Sequence, residues 1–254
     1  MDNKVVEATK ELLYKMADDL LILGHRNSEW TGLGPILEED IAFSSMAQDK
    51  IGQSQALYQI LNELGESDPD TLAFTRNANQ FHCCHLTEMP IGEYNFSLIR
   101  HFLFDHAYQI RFELLAQSTN DSLAKLSRKV KGEFKYHVFH ADTFLVKLGN
   151  GTEESNAKMQ SALDDAFGMA LGIFEPSPFE NVLIENGVFA GEKVNFDLWL
   201  EKISPVIEKA GLKIPDLKIV EPIYGGRKGI HTEFLQPLVD EMSEVFRIDP
   251  SAEW

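Results

Sequence analysis

The sequence has only two cysteines in 254 residues, and they are neighbours, Cys83 and Cys84. Adjacent thiols cannot join distant segments, so a secreted disulfide framework is excluded. The Asn-x-Ser/Thr sequons at Asn95, Asn120 and Asn150 therefore carry no weight. Long apolar runs are missing too. Nothing approaches the roughly 20 residues of a membrane span, and the charged start Met1-Asp2-Asn3-Lys4 lacks the apolar centre of a signal peptide. A cytoplasmic location is expected. Positive charge is scarce: 23 Lys and Arg stand against 40 Asp and Glu, a net charge of -17. Such a chain repels phosphate backbones and anionic headgroups, so neither nucleic acid nor membrane is an expected partner. Also absent are a Gly-rich phosphate loop, a Gly-x-Ser-x-Gly elbow, Cys pairs at zinc-finger spacing, internal repeats and period-two strand patterns.

What remains is helical spacing. Apolar residues recur at three- and four-residue steps through Val5, Leu12, Leu13, Met16, Leu20 and Leu23, which predicts a first amphipathic helix ending at Gly24 or Asn27-Ser28. After the break from Gly32 to Pro35 a second pattern runs from Leu37 to Leu64, stopped by Gly65. Residues 66–92 read as an irregular excursion with one short helix near 70–76. Helices over 95–117 and 122–148 follow. They are separated by Ser118-Thr119-Asn120-Asp121, which supplies capping side chains and makes the two antiparallel neighbours. Gly149-Asn150-Gly151-Thr152 breaks the chain before a fifth helix at 155–174. An apolar stretch at 182–189, a helix over 196–210 and a last helix over 232–246, with Pro237 near its first turns, complete the reading. The expected fold class is all-α, a long-helix bundle with additional C-terminal helices, forming a single domain over 1–254.

Candidate chemistry lies in carboxylates and histidines on these helices, where inward Glu and His pairs commonly hold two metals. The third long helix offers Asp105 and His106; the fourth offers Glu133, His137 and His140, with Glu133 and His137 one turn apart. His82, Cys83, Cys84 and His85 are dense in ligands, but four consecutive positions cannot all face one metal, and structural roles are expected there. Glu38-Glu39-Asp40 stands at a helix start, where the dipole favours carboxylates. Gly225-Gly226-Arg227-Lys228-Gly229-Ile230-His231-Thr232-Glu233 is the basic cluster of an acidic C-terminal third. It reads either as a shaped loop suited to an anion or a partner's carboxylates, or as a solvated loop.

Several segments together resemble one known family. They are the residues ending at Ser28-Glu29-Trp30, Leu37-x-x-Asp40-Ile41-Ala42, Gly52-Gln53, Asp70-Thr71-Leu72-Ala73-Phe74-Thr75-Arg76 with Gln80-Phe81, Tyr136-His137, Leu148-Gly149-Asn150-Gly151-Thr152, and Lys228-Gly229-x-His231-Thr232-Glu233. The chain is similar over nearly its whole length to the C subunits of ring-1,2-phenylacetyl-CoA epoxidase, a multicomponent oxygenase of phenylacetate catabolism. The resemblance implies a ferritin-like polypeptide paired with a homologous catalytic A subunit, which holds a di-iron site and binds the CoA thioester. The reductase and other components are implied as indirect partners, and self-association is implied for the isolated chain.

The catalytic relatives carry a carboxylate, Glu-x-x-His, a carboxylate and Glu-x-x-His on successive helices, because oxygens bridge and neutralise two irons while nitrogens complete the coordination. Carried onto this sequence, the first carboxylate falls near Leu20. The first Glu-x-x-His falls on Lys50-Ile51-Gly52-Gln53, the second carboxylate on Asp105, and the last pair on Phe134 and His137. A lysine, a glutamine and a phenylalanine at ligand positions imply a vestigial, metal-free site with no catalytic residues. They also imply a buried pairing of Asp105 with Lys50, His137 or both. The expected role is structural, with no cofactor in this chain and Arg227, Lys228, Gly229, His231 and Glu233 contacting the catalytic chain. The alternatives are an independent di-metal oxidoreductase using Asp105, Glu133, His137 and His140, and a ferritin-like storage or scaffold protein.

Overall fold

The computed structural model describes residues 2–250 and 252. They form ten α-helices and three short 3-10 turns, and no strand occurs among the described residues. The all-α expectation is met. None of these helices is long and apolar enough to cross a membrane. The helices are α1 (Asn3–Ser28), α2 (Leu37–Glu63), α3 (Pro69–Phe74), α4 (His85–Glu88), α5 (Tyr94–Leu115), α6 (Asp121–Gly149), α7 (Glu153–Leu171), α8 (Glu180–Glu185), α9 (Glu192–Lys209) and α10 (Leu235–Ile248). The chain groups into two compact units. One comprises 91–224 with the residues up to Thr9, the other 10–90 with the chain from Gly225 onward.

In the first unit α5 is the central element, packed against α6, α7 and α9. It is buried on most of its faces, polar residues such as Arg100, His101, Asp105 and Arg111 included, as a helix enclosed by others must be. The Asn120 side chain accepts from Leu123 N and caps α6, and the Thr152 hydroxyl does the same for α7 through Ser155 N. Trp199 is fully buried and donates from its indole nitrogen to Leu103 O at 2.9 Å, which ties α9 to α5. Phe167, Phe174 and Phe196 surround it, with ring centroids 5.0 to 5.9 Å away. Gly149 ends α6 where any Cβ would stand 2.2 Å from Ala210 O, so only glycine allows the ends of α6 and α9 to meet.

In the second unit small side chains bring helices together: Ser54 Oγ on α2 donates to Ala17 O on α1 at 2.8 Å. Glu38, Glu39 and Asp40 stand in the first turn of α2, but no side chain caps it at Ile36; Asp40 instead accepts from Gly34 N, ahead of the helix, at 2.6 Å. The segment 66–92 carries more order than its composition suggested. Besides α3, whose first turn Asp68 caps through Thr71 N, it holds a 3-10 turn over Ala78–Gln80 and the four-residue α4. The last helix starts at Leu235, three residues later than its spacing implied, and Pro237 sits in its first turn.

Candidate functional site

Two side-chain groups stand out, one in each unit. In the first unit Asp105 is fully buried on α5. His101, one turn earlier, places Nδ1 against Asp105 Oδ2. His137 on α6 brings Nδ1 to 3.8 Å from Asp105 Oδ1, and His140 Nδ1 lies 3.3 Å from His101 Nε2. The result is a buried row, His137–Asp105–His101–His140, from two neighbouring helices. The approach of His137 to Asp105 follows from the sequence; the part of His101 was missed, although its spacing of four from Asp105 was legible.

Phe134 is buried in an aromatic cluster, with ring centroids 5.1 Å from Phe112, 6.4 Å from Tyr108 and 5.6 Å from His137. A donorless ring therefore fills the place the ligand pattern gives to a carboxylate. Glu133, the neighbouring acid, is half-buried, and the carboxylate that His137 approaches is Asp105. His106 pairs separately with Asp142, Nε2 to Oδ1 at 2.7 Å. Lys50 and Gln53 belong to the second unit, where both are buried on α2, as is Leu20 on α1. The Phe134 ring offers no ligand atom to a metal.

In the second unit two consecutive acids in the middle of α1, Asp18 and Asp19, are both fully buried and hold different segments. Asp18 takes the Arg76 guanidinium in a forked pair, at 2.5 and 3.0 Å, and also accepts from Tyr58 Oη at 2.5 Å and His82 N at 2.6 Å. Burial, the largest single influence, raises the Asp18 pKa; the Arg76 charge together with the hydrogen bonds from His82 and Arg76 outweighs it and holds the carboxyl well below the usual range. The guanidinium lies 4.0 Å over the Phe81 ring and donates to Leu72 O and Gln80 O. The Asp70 to Phe81 motif is thus the seat of one buried ion pair. Nothing in the sequence reading singled out Asp18 or Asp19, because an acid pair inside an amphipathic helix reads as solvated.

Asp19 holds the C-terminal loop. Arg227 donates to its two oxygens at 2.8 and 2.7 Å and to His82 O at 2.7 Å, while Cys84 N donates to Asp19 Oδ1. Gly229 has φ +75, and a Cβ there would stand 2.4 Å from Asn79 O. His231 reaches Glu88 at 2.7 Å, Thr232 donates to Glu88 from both N and Oγ1 at 2.7 Å, and His85 Nε2 donates to Ile230 O at 2.8 Å. Of the residues expected to face a partner, Arg227 and His231 therefore point into their own chain. Lys228 and Glu233 are exposed, together with Ile230 at 65%. A Cβ on Gly226 would fall 2.1 Å from Cys83 O. Gly226→Ala is accordingly expected to lower stability by about 2 kcal/mol through overpacking, read from denaturant midpoints. An unchanged midpoint would show that the loop moves aside freely.

His82, Cys83, Cys84 and His85 diverge, as consecutive positions must. His82 faces Asp18, Cys84 N faces Asp19, His85 faces Ile230 O and Cys83 faces Glu88.

The family model described as phenylacetic acid catabolic protein matches residues 1–254. The chain belongs to this family. A relative from Escherichia coli (strain K12), the C subunit of 1,2-phenylacetyl-CoA epoxidase, is 33% identical over 241 residues, covering 94% of this chain and 96% of its own. With membership shown, the segments 70–81 and 225–233 acquire a physical meaning in this family member: they are the two loops that Asp18 and Asp19 hold.

Proposed function

We propose that this chain is the non-catalytic structural component of a multicomponent oxygenase that epoxidises the aromatic ring of phenylacetyl-CoA, paired with a homologous catalytic A subunit that carries the di-iron centre. The observation that carries this reading is Phe134. An apolar ring packed among Phe112, Tyr108 and His137 occupies the place of a ligand carboxylate. Asp105, the acid kept at a ligand position, is engaged by His101 and His137. The similarity to an epoxidase C subunit over nearly both chains supports the choice of complex.

The partner-facing part of the loop is the exposed trio Lys228, Ile230 and Glu233, held in shape by the buried side chains of Arg227 and His231 and by the turn at Gly229. Lys228 and Ile230 are exposed, and their replacement leaves the anchoring side chains Arg227 and His231 in place. The double variant Lys228→Glu/Ile230→Ser is expected to retain its melting temperature and to weaken co-purification with the catalytic chain by about tenfold or more, with a changed salt dependence. If it assembles with undiminished affinity, the loop serves only its own fold. If the unaltered chain does not capture a catalytic chain on co-expression, the structural-component reading itself fails.

A further inference from the structure

Three side chains with no part in the Asp105 row converge where the C-terminal loop crosses 83–88. Cys83 and Glu88 are fully buried, and the His231 side chain is nearly so. His231 Nδ1 lies 2.7 Å from Glu88 Oε1; Cys83 Sγ lies 3.9 Å from that oxygen and 4.0 Å from that nitrogen. The three ligand atoms fall within 4.8 Å of one another. A tetrahedral centre with ordinary zinc–ligand lengths separates S, N and O by about 3.3 to 3.6 Å. The observed trio needs adjustments of about half an ångström to match it.

The surroundings are those of ligands held in place. His231 Nε2 donates to Phe81 O at 2.9 Å, which fixes the ring and leaves Nδ1 facing inward. Glu88 Oε2 accepts from Thr232 N and Oγ1, which fixes the carboxylate.

A divalent ion entering here would displace the sulfur proton and the hydrogen between Nδ1 and Oε1, leaving thiolate, carboxylate and neutral imidazole, whose two negative charges match the ion.

We propose that Cys83, Glu88 and His231 form a site for one zinc-like divalent ion, with the fourth position open to water. The site uses none of the residues at the di-iron ligand positions, and it departs from the sequence-based expectation that this chain holds no metal.

The test uses the full chain, stripped with chelator and titrated with Co2+ and then Zn2+. One Co2+ per chain is expected, with a thiolate-to-cobalt charge-transfer band that Zn2+ abolishes. Affinity should fall by about 100-fold for each unit of acidification while both protons are displaced. Cys83→Ser should remove the band and weaken Zn2+ by about 100-fold or more, ligand loss costing at least as much as loss of a supporting group; Cys84→Ser should retain both. Should Cys83→Ser fail to fold, His231→Gln decides: it should weaken Zn2+ by about 100-fold while the cobalt band, where Co2+ still binds, keeps its thiolate character. Absence of binding, Co2+ binding without a thiolate band, or a band lost in Cys84→Ser would overturn the proposal.

Discussion

Arg76→Met is expected to destabilise the chain by about 3–5 kcal/mol, the scale seen when one partner of a buried ion pair is removed. At this chain length that is a drop of roughly 10 °C in melting temperature. Asp18 is wholly buried, and Arg76 supplies two of its hydrogen bonds. Without the guanidinium the carboxylate keeps only the donors from Tyr58 and His82. The sign of the pH dependence follows from the lowered Asp18 pKa. A carboxyl held below its unfolded value of about 3.9 contributes stability that is complete above that pH and is lost as pH falls toward the native pKa. In the variant, burial is no longer opposed by the guanidinium, so acid protonates Asp18 at less cost. The deficit should therefore be largest near neutrality and narrow below about pH 4. Adding Asp18→Asn to Arg76→Met should recover a good part of the loss, because no buried charge is then left alone. Denaturant titrations of the two single variants and the double variant from pH 3 to 7 measure this; a pH-independent deficit would place Asp18 in contact with water.

Asp105→Ala is expected to cost about 3 kcal/mol or more. The aspartate is the carboxylate that His101 and His137, both buried, approach, and its removal leaves two imidazoles facing a cavity in the centre of the α5–α6 pair. Asp105→Asn retains the shape and one acceptor and should cost less. The ordering Ala worse than Asn worse than unaltered, read from thermal or denaturant midpoints with helical circular dichroism preserved, would show that the row serves the fold. Equal midpoints for all three would show that Asp105 is hydrated.

The long helices were legible because their apolar spacing is sustained over many turns: the observed α2, α5, α6 and α7 lie within a few residues of the expected limits. The cap at Asn120 and the approach of His137 to Asp105 were legible for the same local reasons. What escaped was set by tertiary contacts. α9 begins at Glu192, four residues before the expected start, because its first polar turn is not solvated. Glu192 is buried and takes the fully buried Arg111 guanidinium at 2.6 Å, while Arg111 also donates to Ile173 O. Asp18 and Asp19 escaped because their partners lie far along the chain, at Arg76 and Arg227. The loop from Gly225 to Glu233 showed its glycines and cations in sequence. Which cations turn inward was decided by Asp19 and Glu88.

On the proposed structural role the reacting metal centre lies in a companion chain. Iron and manganese analysis of this chain, separated from its companion and loaded anaerobically, is then expected to find no stoichiometric iron or manganese, any zinc at the Cys83 site being counted apart, and the chain alone to epoxidise nothing. Two tightly held irons per chain, lost on Asp105→Ala, would overturn that role.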